Sequence, residues 1–145
     1  MIKNEKQYRI AKAQVRRFED ALSELSLQKR PANITPRLWE AQRDAAEGQL
    51  RELREQVEAF DCLHAGRSHD VLLDTVEDLP KALIRARIAA GMTQEGLARR
   101  LGVKAQQVQR YEATEYESAS FARIRKVVQA LGLRTPKPVR LVRNG

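Results

Sequence analysis

The sequence predicts an all-α protein, an N-terminal antiparallel helical hairpin followed by a domain of four to five short helices. Three observations carry that prediction. Apolar residues recur at alternating steps of three and four along two long segments. Helix-starting residues (Asn4, Thr35, Pro36, Pro80, Thr93) precede apolar runs, and helix-stopping glycines (Gly66, Gly91, Gly102, Gly132) follow them. With seven glycines and five prolines among many Ala, Leu, Arg, Glu and Gln, the composition favours helix over sheet.

The first helix begins at Asn4, where Gln7 three residues on gives the pattern of a capping box. Tyr8, Ala11, Val15, Phe18, Leu22 and Leu25 then form a stripe on one face. Pro31, within residues 26–35, breaks the pattern. Thr35 is the N-cap of a second helix and Pro36 its first residue, the position where a missing N–H costs nothing. Its apolar positions are Trp39, Ala46, Leu50, Leu53, Val57 and Phe60, heptad-like from Ala46 onward. Glu47/Arg51 and Arg51/Glu55 are spaced for i,i+4 ion pairs, each contributing about 0.2–0.5 kcal/mol. A short connection makes the two helices antiparallel.

Two helices cannot fully bury both stripes against each other, but four can. Residues 1–65 are therefore expected to dimerise about a two-fold axis, through Tyr8, Val15, Phe18, Leu22, Trp39, Leu50, Leu53, Val57 and Phe60. The alternative is that the stripes pack on the C-terminal part of the same chain.

Residues 66–78 read as a solvated linker holding a short helix through Val71, Leu72, Leu73 and Val76. Cys62, His64 and His69 lie close in sequence, but no second cluster supplies a fourth ligand and the spacing fits no zinc pattern. Neither a metal nor a cofactor is expected. Nor is catalysis, since no paired nucleophile and base and no phosphate-cradling glycine loop stands out.

Residues 79–133 carry the short helices. Pro80 starts the first, with Asp78 beside it to complement the positive helix end. It runs Lys81–Ala90 with Leu83, Ile84 and Ile88 as its apolar residues, and stops at Gly91. Thr93 caps the next, Gln94–Leu101, whose inner face is Leu97, Ala98 and Leu101. After the Gly102 turn a helix over Lys104–Tyr111 turns Val108 and Tyr111 inward. Ser118 or Ser120 starts the last, which carries Phe121, Ile124, Val127, Val128 and Leu131. For the basic tail, residues 134–145, three readings stay open: an arm lying on phosphate, a strand pairing with a second protomer, or a disordered end.

Charge is distributed unevenly. The chain carries +8 overall, but residues 1–63 hold 12 basic against 11 acidic groups, and residues 79–145 hold 14 against 4. The C-terminal half suits a polyanion. No apolar run of about 18 residues spans a membrane, the start of the chain has no apolar leader, and a single cysteine fits a reducing cytoplasm.

Counting Gln94 as the first position, Ala98 falls fifth, Gly102 ninth and Val108 fifteenth. Two helices crossing steeply over a short turn need a small residue, a glycine able to take positive φ, and an apolar plug at those places. The stretch GMTQEGLARRLGVKAQQVQRYE resembles the helix-turn-helix of Cro/cI-type (XRE) regulators, over about residues 79–133, and implies a lambda-repressor-like DNA-binding domain. The resemblance implies an ion pair between Arg87 and Glu112, and a phosphate-binding role for Gln94. The chain departs from that pattern at Gly96, where a glutamate is usual, and after Glu112, where the usual glycine is replaced by a longer acidic connection, ATEYES.

The start of the recognition helix enters the major groove first. Lys104, Ala105, Gln106, Gln107, Gln109 and Arg110 surround the inward Val108. Gln pairs bidentately with adenine, Lys and Arg with guanine, and an alanine methyl meets that of thymine. Lys104, Gln106 and Gln109 are the expected base readers, with Arg110 on a base or a phosphate. Without the surrounding motif such a glutamine run is an ordinary solvated face.

The expected function is sequence-specific binding of double-stranded DNA by a cytoplasmic homodimeric transcriptional regulator, a repressor on a palindromic operator with half-sites roughly 34 Å apart. The opening IKNEKQYRIAKAQV is similar to the start of some HigA-type antitoxins. That resemblance implies an alternative, an antitoxin that neutralises a toxin protein and represses its own operon.

Overall fold

A computed structural model of the chain describes residues 1–66 and 75–134. Among them every regular element is a helix: α1 (Glu5–Leu27), α2 (Pro36–His64), a 3-10 turn (Val76–Asp78), α3 (Leu79–Ala89), α4 (Gln94–Leu101), α5 (Ala105–Ala113) and α6 (Phe121–Ala130). The chain divides into two units, Met1–Asp70 and Val71–Gly145. No described helix is long and apolar enough to cross a membrane.

In the first unit the start signals do what their chemistry dictates. Asn4 Oδ1 accepts the Gln7 N–H at 2.9 Å, and Gln7 Oε1 accepts the Lys3 N–H at 2.8 Å. Thr35 Oγ1 accepts the Leu38 N–H at 3.4 Å at the head of α2. The helices run antiparallel, since two cross-links pair an early residue of α1 with a late one of α2 and a later residue of α1 with an earlier one of α2. Tyr8 Oη donates to Asp61 Oδ1 at 2.7 Å, and Arg54 Nη2 donates to Glu19 Oε1 at 2.6 Å. The Tyr8 ring stacks on Phe60 at 4.9 Å, with Lys12 Nζ 5.2 Å from the Tyr8 centroid.

The stripes meet, but incompletely. Ala11, Leu50 and Phe60 are buried, while Tyr8, Val15, Phe18, Leu22, Leu25, Trp39, Ala46, Leu53 and Val57 are only half-buried. Arg51 makes neither expected ion pair; Glu47 pairs instead with Arg43 at 3.7 Å. Exposed pairs gain little over water, so spacing alone does not select the partner.

In the second unit Leu83 and Ile84 of α3, Leu97 of α4, Val108 of α5 and Val127 of α6 are at most 1% exposed. Each such side chain stabilises the fold by about 1.5–3 kcal/mol relative to leaving it in water. Helix α3 starts at Leu79, two residues before the expected Lys81. Asp78 does not cap it: its carboxylate accepts from the Thr75 N–H at 3.2 Å and the Thr75 hydroxyl at 2.9 Å, closing the turn before α3. Ser120 caps α6, accepting the Arg123 N–H at 3.2 Å. Phe121 lies on this helix as expected, and 73% of its surface is exposed. It occupies the first turn of α6, and the inward face begins at Ile124 and Val127. The expected linker helix at Val71–Leu73, His69 and the tail beyond Arg134 lie outside the described residues.

Candidate nucleic-acid interface

The α4–α5 pair is built around a tight turn. Gly102 takes φ 66° and ψ 37°, left-handed values that a side chain resists. There its N–H donates to the Arg99 carbonyl at 3.3 Å, and the Val103 N–H donates to the Ala98 carbonyl at 3.0 Å. Two of the four carbonyls orphaned at the end of α4 are thereby satisfied. Ala98, 1% exposed, lets the helices close on each other, and Val108 fills the crossing. At the head of α4, Thr93 Oγ1 accepts the Gly96 N–H at 3.0 Å. The cap therefore forms although Gly96 cannot return the bond that a glutamate there would.

Beneath the turn lies a buried polar network. Arg87 and Glu112 form a two-pronged ion pair, Nε to Oε1 at 2.6 Å and Nη2 to Oε2 at 2.8 Å, with side chains 3% and 0% exposed. Arg87 Nη1 donates to the Met92 carbonyl at 2.7 Å, and Gln94 Nε2 donates to Glu112 Oε2 at 2.7 Å. One carboxylate thus ties α3, the head of α4 and the end of α5 together. Gln94 itself is buried, and its side chain braces the network.

The exposed face of α5 is opposite in character. Lys104, Gln106, Gln109 and Arg110 are exposed and Ala105 and Gln107 half-buried, while Val108, Tyr111 and Glu112 point inward. Among the described residues no hydrogen bond or ion pair engages the Lys104, Gln106, Gln109 or Arg110 side chains. Arg100 is differently employed, donating from Nη1 to the Ala130 carbonyl at 3.0 Å and so closing the end of α6 on α4. Arg99 lies near Glu95 at 3.9 Å, both well exposed.

The acidic connection after α5 brings a further residue, Tyr116, into the core. Glu115 and Tyr116 take positive φ, 47° and 62°, in place of the missing glycine. Tyr116 is 3% exposed, stacks on Tyr111 at 6.2 Å, and donates its N–H to the Tyr111 carbonyl at 2.6 Å. Its hydroxyl has no hydrogen-bond partner among the described residues. Burial pushes the phenol well above its ordinary pKa of 10.0; the Glu112 charge adds to this and the Arg87 charge opposes it. A tyrosine in an acidic, turn-like hexapeptide gives no periodic signal. The aromatic pair Tyr111/Tyr116, five residues apart, was the available cue.

Residues 83–137 match a family model described as helix-turn-helix. No curated protein and no solved structure matches the chain.

Proposed function

We propose, from the match of residues 83–137 to a helix-turn-helix family model, that this chain is a DNA-binding regulator of transcription that reads a specific double-stranded sequence as a cytoplasmic homodimer. The observation that carries the reading is the two-sidedness of α5: Val108, Tyr111 and Glu112 anchor it, and Lys104, Gln106, Gln109 and Arg110 stand in solvent. A buried anchor of that kind holds a helix rigidly, and rigid presentation is what base-edge hydrogen bonding requires.

In this reading α5 lies in the major groove, with Lys104, Gln106 and Gln109 on base edges, Ala105 against a thymine methyl, and Gln107 and Arg110 at the flanks. The N-terminus of α4, held in place by the Gln94–Glu112 bond, faces a phosphate with its positive dipole end. Two copies joined through the N-terminal hairpins set two recognition helices on one palindromic operator, and covering a promoter represses it.

The test is Gln106→Ala, measured by titration on a selected operator and on random DNA. A loss of roughly 1–3 kcal/mol on the operator, with preference relaxed at one base, fits base reading. Equal loss on both DNAs removes Gln106 from that role. Neutralisation of a toxin is the second role that the N-terminal resemblance implies. Its residues Asn4, Gln7 and Tyr8 already serve the hairpin, as cap, acceptor and cross-link, so their presence has a sufficient structural cause. Coelution of a small partner protein with the chain expressed from its native locus is the measurement that would establish it.

A further inference from the structure

The half-buried seam of the hairpin opens on one side into a shallow groove of about 390 Å³. Val15 and Val57 are its apolar lining, and its two walls carry opposite charge. On the α1 wall stand Lys12 and Arg16; on the α2 wall stand Glu58 and Asp61. Farther along, Glu19 and Arg54 also line it but already neutralise each other at 2.6 Å. Arg16 and Glu58 have no ionic partner among the described residues, and both are exposed.

The geometry points to this groove as the seat of a second copy of the chain, related by a two-fold axis running along the groove. The inference rests on the homodimer proposed above and specifies where and in what orientation the copies meet. Rotation about an axis along the groove carries each copy's α1 wall over the other's α2 wall. Lys12 and Arg16 of one copy then face Glu58 and Asp61 of the other, twice. An axis across the groove would instead set α1 wall on α1 wall, basic on basic and acidic on acidic.

Level and direction agree with this. The Tyr8–Asp61 and Glu19–Arg54 cross-links place Lys12 at about the height of Glu58, so equal heights along the axis bring opposite charges together. Each helix would also lie antiparallel to its new neighbour, the arrangement in which a four-helix bundle closes with short connections. Area is sufficient. At 1.5 Å per residue α1 is about 34 Å long, and two packed helices present a face roughly 20 Å wide, near 700 Å² per copy; specific interfaces average about 800 Å² per partner. Val15 and Val57, half-buried in one chain, would become the centre of the shared core, with the charges as a rim that fixes orientation.

The experiment uses two full-length variants, Lys12→Glu/Arg16→Glu, whose walls are both acidic, and Glu58→Lys/Asp61→Lys, whose walls are both basic. Dimer dissociation constants are read by sedimentation equilibrium, with helicity checked by circular dichroism. Each variant alone should dimerise at least about tenfold more weakly than the wild type, and an equimolar mixture should recover most of that loss as heterodimer. A wild-type dimer that neither variant weakens places the interface elsewhere and overturns the groove while leaving homodimerisation intact. Two weakened variants that fail to rescue each other overturn the axis. A wild type that stays monomeric at the concentrations where it binds DNA overturns both the groove and the homodimer.

Discussion

Glu112 is a carboxylate with no solvent exposure, taking hydrogen bonds from Arg87 Nε and Nη2 and from Gln94 Nε2. A fully satisfied buried charge adds modest net stability, yet removing one partner strands the other in an apolar surround. Glu112→Ala should therefore cost about 3–5 kcal/mol in urea unfolding, and it should loosen both α5 and the head of α4. Tyr116 is the opposite case, a buried hydroxyl with no partner among the described residues. Its desolvation is uncompensated, so Tyr116→Phe should raise stability by about 1 kcal/mol. The same substitution carries a pH signature. The folded phenol holds its proton above the unfolded value of 10.0, so unfolding in base releases a proton and is favoured as pH rises past that value. Stability from this group is present below pH 10 and declines above it, and Tyr116→Phe should shrink that alkaline decline. Unchanged stability at neutral pH together with an unchanged alkaline limb would mean the hydroxyl finds water in solution.

Elements were legible where their cause is local. Asn4, Thr35, Thr93 and Ser120 each bond an N–H three residues ahead, and a three-residue relation can be read directly from a sequence. Gly102 announced the turn because only glycine takes φ 66° without cost. Gly102→Ala should destabilise the domain by about 1 kcal/mol, and any larger loss would point to a clash, for which there is no cause: nothing lies within 4 Å of an added Cβ. Gly48 makes the complementary prediction. It sits inside α2 with equally open surroundings, so Gly48→Ala should raise hairpin stability by about 0.5–1 kcal/mol. Illegible features were those set by distant neighbours. Arg54 finds Glu19 across the hairpin rather than along its own helix, and Arg100 reaches the end of α6. Tyr116 is buried through a left-handed backbone that non-glycine residues seldom adopt. The Arg87–Glu112 pair, 25 residues apart in sequence, has no periodic signature and came into view only through family resemblance. The exposed face of α5 was readable in outline because Val108 fixes the phase of the helix, whereas the inward turn of Gln94 was not.

At the scale of the molecule, charge and symmetry make a joint prediction. Basic groups exceed acidic ones by 10 over residues 79–145 but by only 1 over residues 1–63. The salt dependence of DNA binding should therefore come from the C-terminal part, with a log–log slope near −0.9 for each phosphate neutralised. In a homodimer every substitution acts twice. Arg110→Ala, if its guanidinium holds phosphate, should make the operator slope shallower by about 1.8, whereas a single bound copy would lose about 0.9. An unchanged slope with altered base preference assigns Arg110 to base reading instead. Removing residues 1–66 takes away almost no excess charge, so its effect on the slope isolates oligomerisation. With the second copy lost, the slope should fall to about half its full-length value and affinity should drop steeply; an undiminished slope would show that the C-terminal domains pair on DNA without the hairpins.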